Sequence, residues 1–114
     1  MLVVGVALKT LEQLGMMRRH GFELVHAPDA TAALRELQEK RPAIVCVDMT
    51  APFNGHELAR QIRNTAEGLG IVMIGLANKG SSAPRGPAAD ANFNCFLEKP
   101  IDIDALIRIG DPLH

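Results

Sequence analysis

Two residues in this chain put a charged side chain where an apolar segment ends. Asp48 follows four apolar residues, Ile44-Val45-Cys46-Val47, and Lys99 stands in Glu98-Lys99-Pro100, just after Phe96-Leu97. A carboxylate at the end of an apolar run is costly unless it is exposed at a sheet edge or paired. Lys99 is the obvious partner, and together the two would set a carboxylate oxygen beside a fixed ammonium. Each also has a plainer reading: Asp48 as a loop carboxylate capping the backbone after Pro52, Lys99 as a solvated lysine beside a turn proline. The histidines His20, His26, His56 and His114 share no helical or hairpin spacing with Cys46 or Cys95, so they do not spell a zinc site. Gly5 follows a strand-like run, but the next glycine is Gly15, which leaves no dinucleotide-binding loop. Met16-Met17-Arg18-Arg19 could face a partner, although methionines at helical spacing ordinarily pack in a core.

The elements that must position such a pair follow from length and pattern. The chain has 114 residues, 12 Lys and Arg against 13 Asp and Glu, and 47% hydrophobic residues. That suits one domain over residues 1–114 with an ordinary core. A formal net charge of -1, with the basic residues scattered, gives no footprint for nucleic acid or anionic lipid. No apolar run is long enough to span a bilayer. The absence of a signal-peptide pattern and the two cysteines in apolar runs point to a reducing cytoplasm.

Apolar runs alternate with helical patterns along the whole length, the mark of βα repeats feeding a parallel sheet covered on both faces. Leu2 to Ala7 reads as a first strand. A helix from about Thr10 to His20 carries Leu11, Leu14 and Met17 on one face, and Gly21 ends it. Phe22 to His26 reads as a second strand. Asp29 reads as an N-cap for a helix with Ala30, Ala33, Leu34 and Leu37 at i, i+3, i+4, i+7. Pro42 precedes the third strand, and a loop with Pro52 and Gly55 follows it. Leu58, Ile62 and Ala66 carry a third helix, Ile71 to Leu76 a fourth strand, and Phe96-Leu97 the centre of a fifth. Asp102 caps a last helix holding Ile103, Leu106 and Ile107. Lys79 to Asn92 contains Gly80, Ser81, Ser82, Pro84, Gly86 and Pro87, which make a long fourth helix improbable.

In an open parallel sheet, ligands gather outside the carboxyl ends of the strands. Gly21-Phe22-Glu23-Leu24-Val25, then Arg41-Pro42-Ala43-Ile44-Val45-Cys46-Val47-Asp48, Pro52, and Lys99-Pro100 leading into Ile101-Asp102-Ile103-Asp104-Ala105-Leu106 occur in that order over nearly the whole chain. This arrangement resembles the receiver domain of bacterial two-component response regulators. The resemblance implies a flavodoxin-like, doubly wound five-stranded parallel sheet in the order 2-1-3-4-5. It also implies that Asp48 stands at the phosphoacceptor position and Lys99 at that of the lysine holding a phosphoryl oxygen.

Three positions depart from the family pattern. The acidic pair that should end the first strand is replaced by Gly5 and Val6, and the Ser or Thr that should end the fourth strand by Leu76. The loop from Pro52 to Gly55 is one residue short, with Asn54 near the family's usual Asp. Mg²⁺ wants oxygen ligands in near-octahedral geometry; Gly5 and Val6 supply none, leaving Asp48, with help at most from the Thr50 carbonyl. Phosphoryl transfer leans on the ion as its largest local charge. Leu76 cannot donate the hydrogen bond that in the family reports the phosphoryl group, and Phe96, where the family's mobile aromatic sits, reads better as core.

The expectation is therefore a degenerate, pseudo-receiver domain. It is a non-enzymatic, phosphorylation-independent interaction module with no bound Mg²⁺ or other cofactor. Its partner is a protein of a signalling pathway, a histidine kinase or an output domain. A working phosphoacceptor using Asp48, and a small-molecule sensor whose emptied pocket is lined by Gly5, Val6, Leu76 and Lys99, are the alternatives. Asp48 and Lys99 should pair directly. Cys46 and Cys95 should stay reduced, because the family's strand order sets a strand between theirs. Shortening of the fourth helix and of the last one, the latter by Gly110 and Pro112, should move partner contacts to the first helix or to the Lys79 to Asn92 loop.

Overall fold

The computed structural model describes residues 1–65, 70–78 and 92–110. Five strands form one parallel sheet: β1 (Leu2–Val4), β2 (Val25–Ala27), β3 (Ile44–Asp48), β4 (Val72–Ala77) and β5 (Cys95–Glu98). Their order is β2-β1-β3-β4-β5, as expected. Among the described residues four α-helices accompany them: α1 (Leu8–Leu14), α2 (Ala30–Lys40), α3 (Gly55–Arg63) and α4 (Ile103–Gly110). The proposed irregularity of residues 79–91 and the contribution of Pro112 lie outside the described residues. α4 itself runs for eight residues, about two turns.

Every residue of β3 is buried, the pattern of a central strand in a sheet covered on both sides. The period-2 alternation of side chains splits each strand between two cores. Leu2, Val4, Val45, Val47 and Met73 face Ala33 and Leu37 of α2 and Leu58, Ala59 and Ile62 of α3. Val3, Ile44, Cys46, Ile74 and Leu76 face Leu14, Met17 and Leu106 on the other side. The caps follow their chemistry. Asp29 Oδ1 accepts from the Ala32 amide at 2.8 Å and Asp102 Oδ1 from the Ala105 amide at 3.2 Å.

Several boundaries moved, each for a local reason. β1 stops at Val4 because Gly5 turns the backbone to φ +72°. α1 starts at Leu8 without a side-chain cap and passes at Gly15 into a 3₁₀ turn over Gly15–His20. Gly21, at φ +84°, ends that turn as expected. Phe22 does not enter β2; its amide bonds back to the Met17 carbonyl at 3.2 Å, and its ring joins the second core.

Arg63, at the end of α3, fastens that helix to the amino ends of two strands. Its guanidinium donates to the carbonyls of Ile71 (2.6 Å) and Asn92 (3.0 Å) and to Asn94 Oδ1 (2.8 Å). The same Asn94 oxygen accepts from the Met73 amide at 2.7 Å. Arg63→Ala is expected to cost about 2–3 kcal/mol in chemical denaturation. Arg63→Lys should recover less than half, because an ammonium lacks the planar fork that reaches separate acceptors. A loss within about 0.5 kcal/mol would show that water substitutes for the clasp.

Cys46 and Cys95 both pair in register with Ile74, one on each side of β4. They are thus two strand spacings apart, about 9.5 Å, beyond the reach of a disulfide. Burial pushes the Cys46 thiol from 9.0 up to about 12 and raises that of half-buried Cys95. Alkylation of the native domain should spare Cys46 and label Cys95 slowly, and unfolding should release two thiols. Because the raised pKa belongs to the folded state, ionisation favours the unfolded chain. The Cys46 contribution to stability, whole below pH 9.0, therefore falls as pH rises from there towards about 12. Equal native labelling of both cysteines would contradict this placement.

Candidate functional site

Asp48 is the last residue of β3, and its side chain is 2% exposed. A buried carboxylate survives only with its lone pairs engaged, and here both oxygens are. Lys99 Nζ donates to Oδ2 at 2.6 Å. The Thr50 amide and hydroxyl donate to Oδ1 at 2.8 and 2.6 Å. The triangle closes because Lys99 Nζ also donates to Thr50 Oγ1 at 3.2 Å. The sheet carries the partners: the Met49 amide bonds to the Leu76 carbonyl (2.9 Å) and the Lys99 amide to the Ala77 carbonyl (2.8 Å). Both loops are thereby tied to the end of β4. Direct Asp48–Lys99 pairing is what the sequence implied; the backbone amide that Asp48 caps is that of Thr50, ahead of Pro52 and not after it.

The other predicted site residues, Gly5, Val6, Leu76 and Phe96, carry no side-chain oxygen. The Gly5 amide donates to the Ala27 carbonyl at 2.9 Å. Val6 is 7% exposed and packs in the second core. A Cβ at Gly5 would lie 2.6 Å from Phe53 Cε2 and 2.8 Å from Ala51 Cβ. The Phe53 ring thus occupies the space where a side chain on that position would stand. Asn54 instead caps α3, its Oδ1 accepting from the Glu57 amide at 3.1 Å.

Leu76 pairs with Asp48 on β3 and is fully buried in the second core. Phe96 lies on the opposite face, against the first core, its ring centroid 4.8 Å from that of Phe93. The register sets Gly75, not Leu76, beside Phe96. A Cβ at Gly75 would lie 2.5 Å from Phe96 Cε1, so the ring fills the place of the missing side chain.

Two contributors escaped the sequence reading. Thr50 entered it only as a carbonyl, although a hydroxyl two residues after an Asp is a familiar local hydrogen-bonding arrangement. Phe53 had no signal of its own: an aromatic in a loop is unremarked until the glycine it covers is known. Among the described residues no three His, Cys, Asp or Glu side chains gather as metal ligands. The donor set around Asp48 does not suit a hard dication, since its one carboxylate already holds an ammonium at 2.6 Å. What the arrangement offers is a satisfied ion pair at the carboxyl edge of a parallel sheet. Among the described residues no helix is long and apolar enough to cross a membrane.

Known proteins are similar to this chain along most of its length. An uncharacterised 14.6 kDa protein from Leptolyngbya boryana is 30% identical over 95 residues, 82% of this chain and 72% of that protein. The CAI-1 autoinducer sensor kinase/phosphatase CqsS of Vibrio cholerae is 29% identical over 95 residues, which is 14% of its length. Response regulator MprA of a Mycobacterium species is 30% identical over 89 residues, 77% of this chain and 38% of MprA. This chain therefore spans well under half the length of the last two.

Among solved structures, a CheY-like receiver domain from Methylobacillus flagellatus superposes with a TM-score of 0.83 at 24% identity, covering 99% of this chain and 96% of that one. The receiver domain of Saccharomyces cerevisiae Ssk1, solved with the histidine phosphotransfer protein Ypd1, gives 0.77 at 22%, covering 95% and 83%. At those identities the superpositions speak for the fold. The family model for the response regulator receiver domain matches residues 6–110. With that match over nearly the whole chain and the strand order 2-1-3-4-5, this chain belongs to the response regulator receiver domain family.

Proposed function

We propose that this receiver domain works as a phosphorylation-independent protein interaction module in a two-component pathway. The observation that carries this reading is the closed triangle of Asp48, Thr50 and Lys99 beside a Gly5 whose side-chain space Phe53 fills. An oxygen that is to attack phosphorus needs a cation to gather the donor's charge, and the Lys99 ammonium beside Asp48 is already bound to its carboxylate. Gly5 and Val6 stand at the acidic-pair positions, and Leu76 and Phe96 at those of the hydroxyl and aromatic relay. On this reading none of the four transmits a phosphorylation signal. The domain is not an enzyme, carries no cofactor, acts in the cytoplasm, and contacts a histidine kinase or output protein rather than nucleic acid or membrane.

The decisive experiment is incubation with a small phosphodonor and Mg²⁺ followed by intact mass. The expected result is an unmodified chain. A phosphoryl adduct that disappears in Asp48→Asn would replace this reading with that of a working phosphoacceptor.

Mg²⁺ itself should not bind with useful affinity, because one carboxylate beside an ammonium offers too little negative charge to displace the ion's waters. Amide shifts recorded during a Mg²⁺ titration should stay flat around Asp48. Saturable, localised shifts at low millimolar metal, by order of magnitude, would count against the proposal.

A further inference from the structure

Strand β2 ends the sheet, and among the described residues β1 is its only strand neighbour. On that inner side the Val25 amide donates to the Met1 carbonyl and the Ala27 carbonyl accepts from the Gly5 amide, both at 2.9 Å. Backbone groups alternate along a strand, so the N–H and C=O groups of Leu24 and His26 point away from the sheet. Among the described residues none of these four groups bonds elsewhere in the chain. Pro28, which has no N–H, closes the row. The Leu24 and His26 side chains line an open groove whose other wall is Leu8, Leu11 and Glu12 of α1, continued by Gly15 and Arg18. Leu8 is 72% exposed there.

An edge with two free donors and two free acceptors is a template for another strand, and three features point to β2 of a second copy. The row is self-complementary. Antiparallel pairing about a two-fold axis at Val25 sets Leu24 opposite His26 of the second copy, and all four groups on each edge bond. The helices also fit. α1 joins β1 to β2 and packs on the face that carries Val3 and Leu24. Its axis therefore lies about half a strand spacing inside β2, which brings the two α1 axes to about 10 Å, the outer limit of helix packing. Gly15 leaves the room, since a Cβ there would meet no packed neighbour within 4 Å.

The third feature is charge. Glu12 and Arg18 stand exposed three residues on either side of Gly15, and among the described residues neither has an ion-pair partner. From Gly15 to His20 the chain descends at about 2 Å per residue, and from Gly21 it climbs back at about 3.3 Å, regaining the level of Gly15 near Leu24 and Val25. An axis at Val25 thus passes Gly15 and sets Glu12 against Arg18 of the second copy, twice over by symmetry. We propose that this face joins two copies of the chain through an antiparallel β2–β2 seam, flanked on one side by paired α1 helices.

Sedimentation equilibrium of the whole chain from about 10 µM to about 1 mM reads the association, and a monomer–dimer equilibrium with a Kd of about 100 µM is expected. Amide hydrogen exchange at Leu24 and His26 should slow as the dimer fills. His26→Pro, which removes an outward N–H, and Gly15→Gln, which fills the space between the helices, should each weaken the dimer about tenfold or more. Gly15→Gln decides the matter if His26→Pro does not fold. Glu12→Arg and Arg18→Glu should each weaken it about fivefold, and the two together should restore it to within about twofold. A monomer throughout the range would overturn the assignment, as would a dimer unmoved by Gly15→Gln or charge reversals that do not repair each other. Protection of Leu24 and His26 that appears only when a different protein is added would give the edge to another strand and overturn it too.

Discussion

Lys99→Ala is expected to lower the unfolding free energy by about 3 kcal/mol, the low end for breaking a buried ion pair. The carboxylate it strands is 2% exposed, while Lys99 itself is 18% exposed. The two Thr50 donors remain on Oδ1, which keeps the loss from being larger. Most of the penalty comes from leaving the Asp48 charge without its opposite, so adding Asp48→Asn should restore most of the stability. Urea denaturation of the three variants near neutral pH gives the answer. A loss under about 1 kcal/mol for the single variant would mean that the pair behaves as a solvated surface bridge.

Gly5→Asp, which returns an acidic residue to the end of β1, is expected to destabilise by about 3 kcal/mol. A non-glycine residue held at positive φ contributes roughly 1–2 kcal/mol of that, and displacing packed neighbours contributes the rest. The observed φ is +72°, and the neighbours are Phe53 and Ala51, 2.6 and 2.8 Å from the new Cβ. Phe53→Ala should relieve the crowding without removing the backbone strain. The double variant should therefore be more stable than the two single losses predict, by a coupling of about 1 kcal/mol or more. Strict additivity in denaturant melts would show that the ring and the glycine do not compete for one space. Any response to Mg²⁺ should require both changes, since the carboxylate has no room while the ring stays.

The parallel sheet was legible because its strands are continuous apolar runs and its helices carry capping residues, Asp29 and Asp102 above all. Asp48 and Lys99 were legible for the same reason: each interrupts an apolar pattern where a strand ends. Boundaries were less so. The first helix was read as starting at about Thr10, yet Thr10 is buried within α1, and the residue before the helix, Ala7, makes no side-chain cap that could have marked its start. The filling of the Gly5 position by Phe53 has no periodic signature at all. It arises where the end of β1 meets the loop between β3 and α3, a contact between residues nearly 50 positions apart. Which face Phe96 takes depends on a register that no single strand encodes, and that register gave it Gly75 as a neighbour.

The Phe96 ring lodged over Gly75 also determines how this domain reports on itself to light. The chain has four phenylalanines and neither tryptophan nor tyrosine, so phenylalanine is its sole benzenoid chromophore. Three of the four, Phe53, Phe93 and Phe96, belong to the core on the α2 and α3 side, and Phe22 to the other. With no tryptophan to drain the excitation, aromatic emission and near-ultraviolet dichroism come from these four rings alone, two of which, Phe93 and Phe96, stack near Gly75. A single tryptophan at position 96 would be an unshared beacon for whatever moves that corner of the sheet.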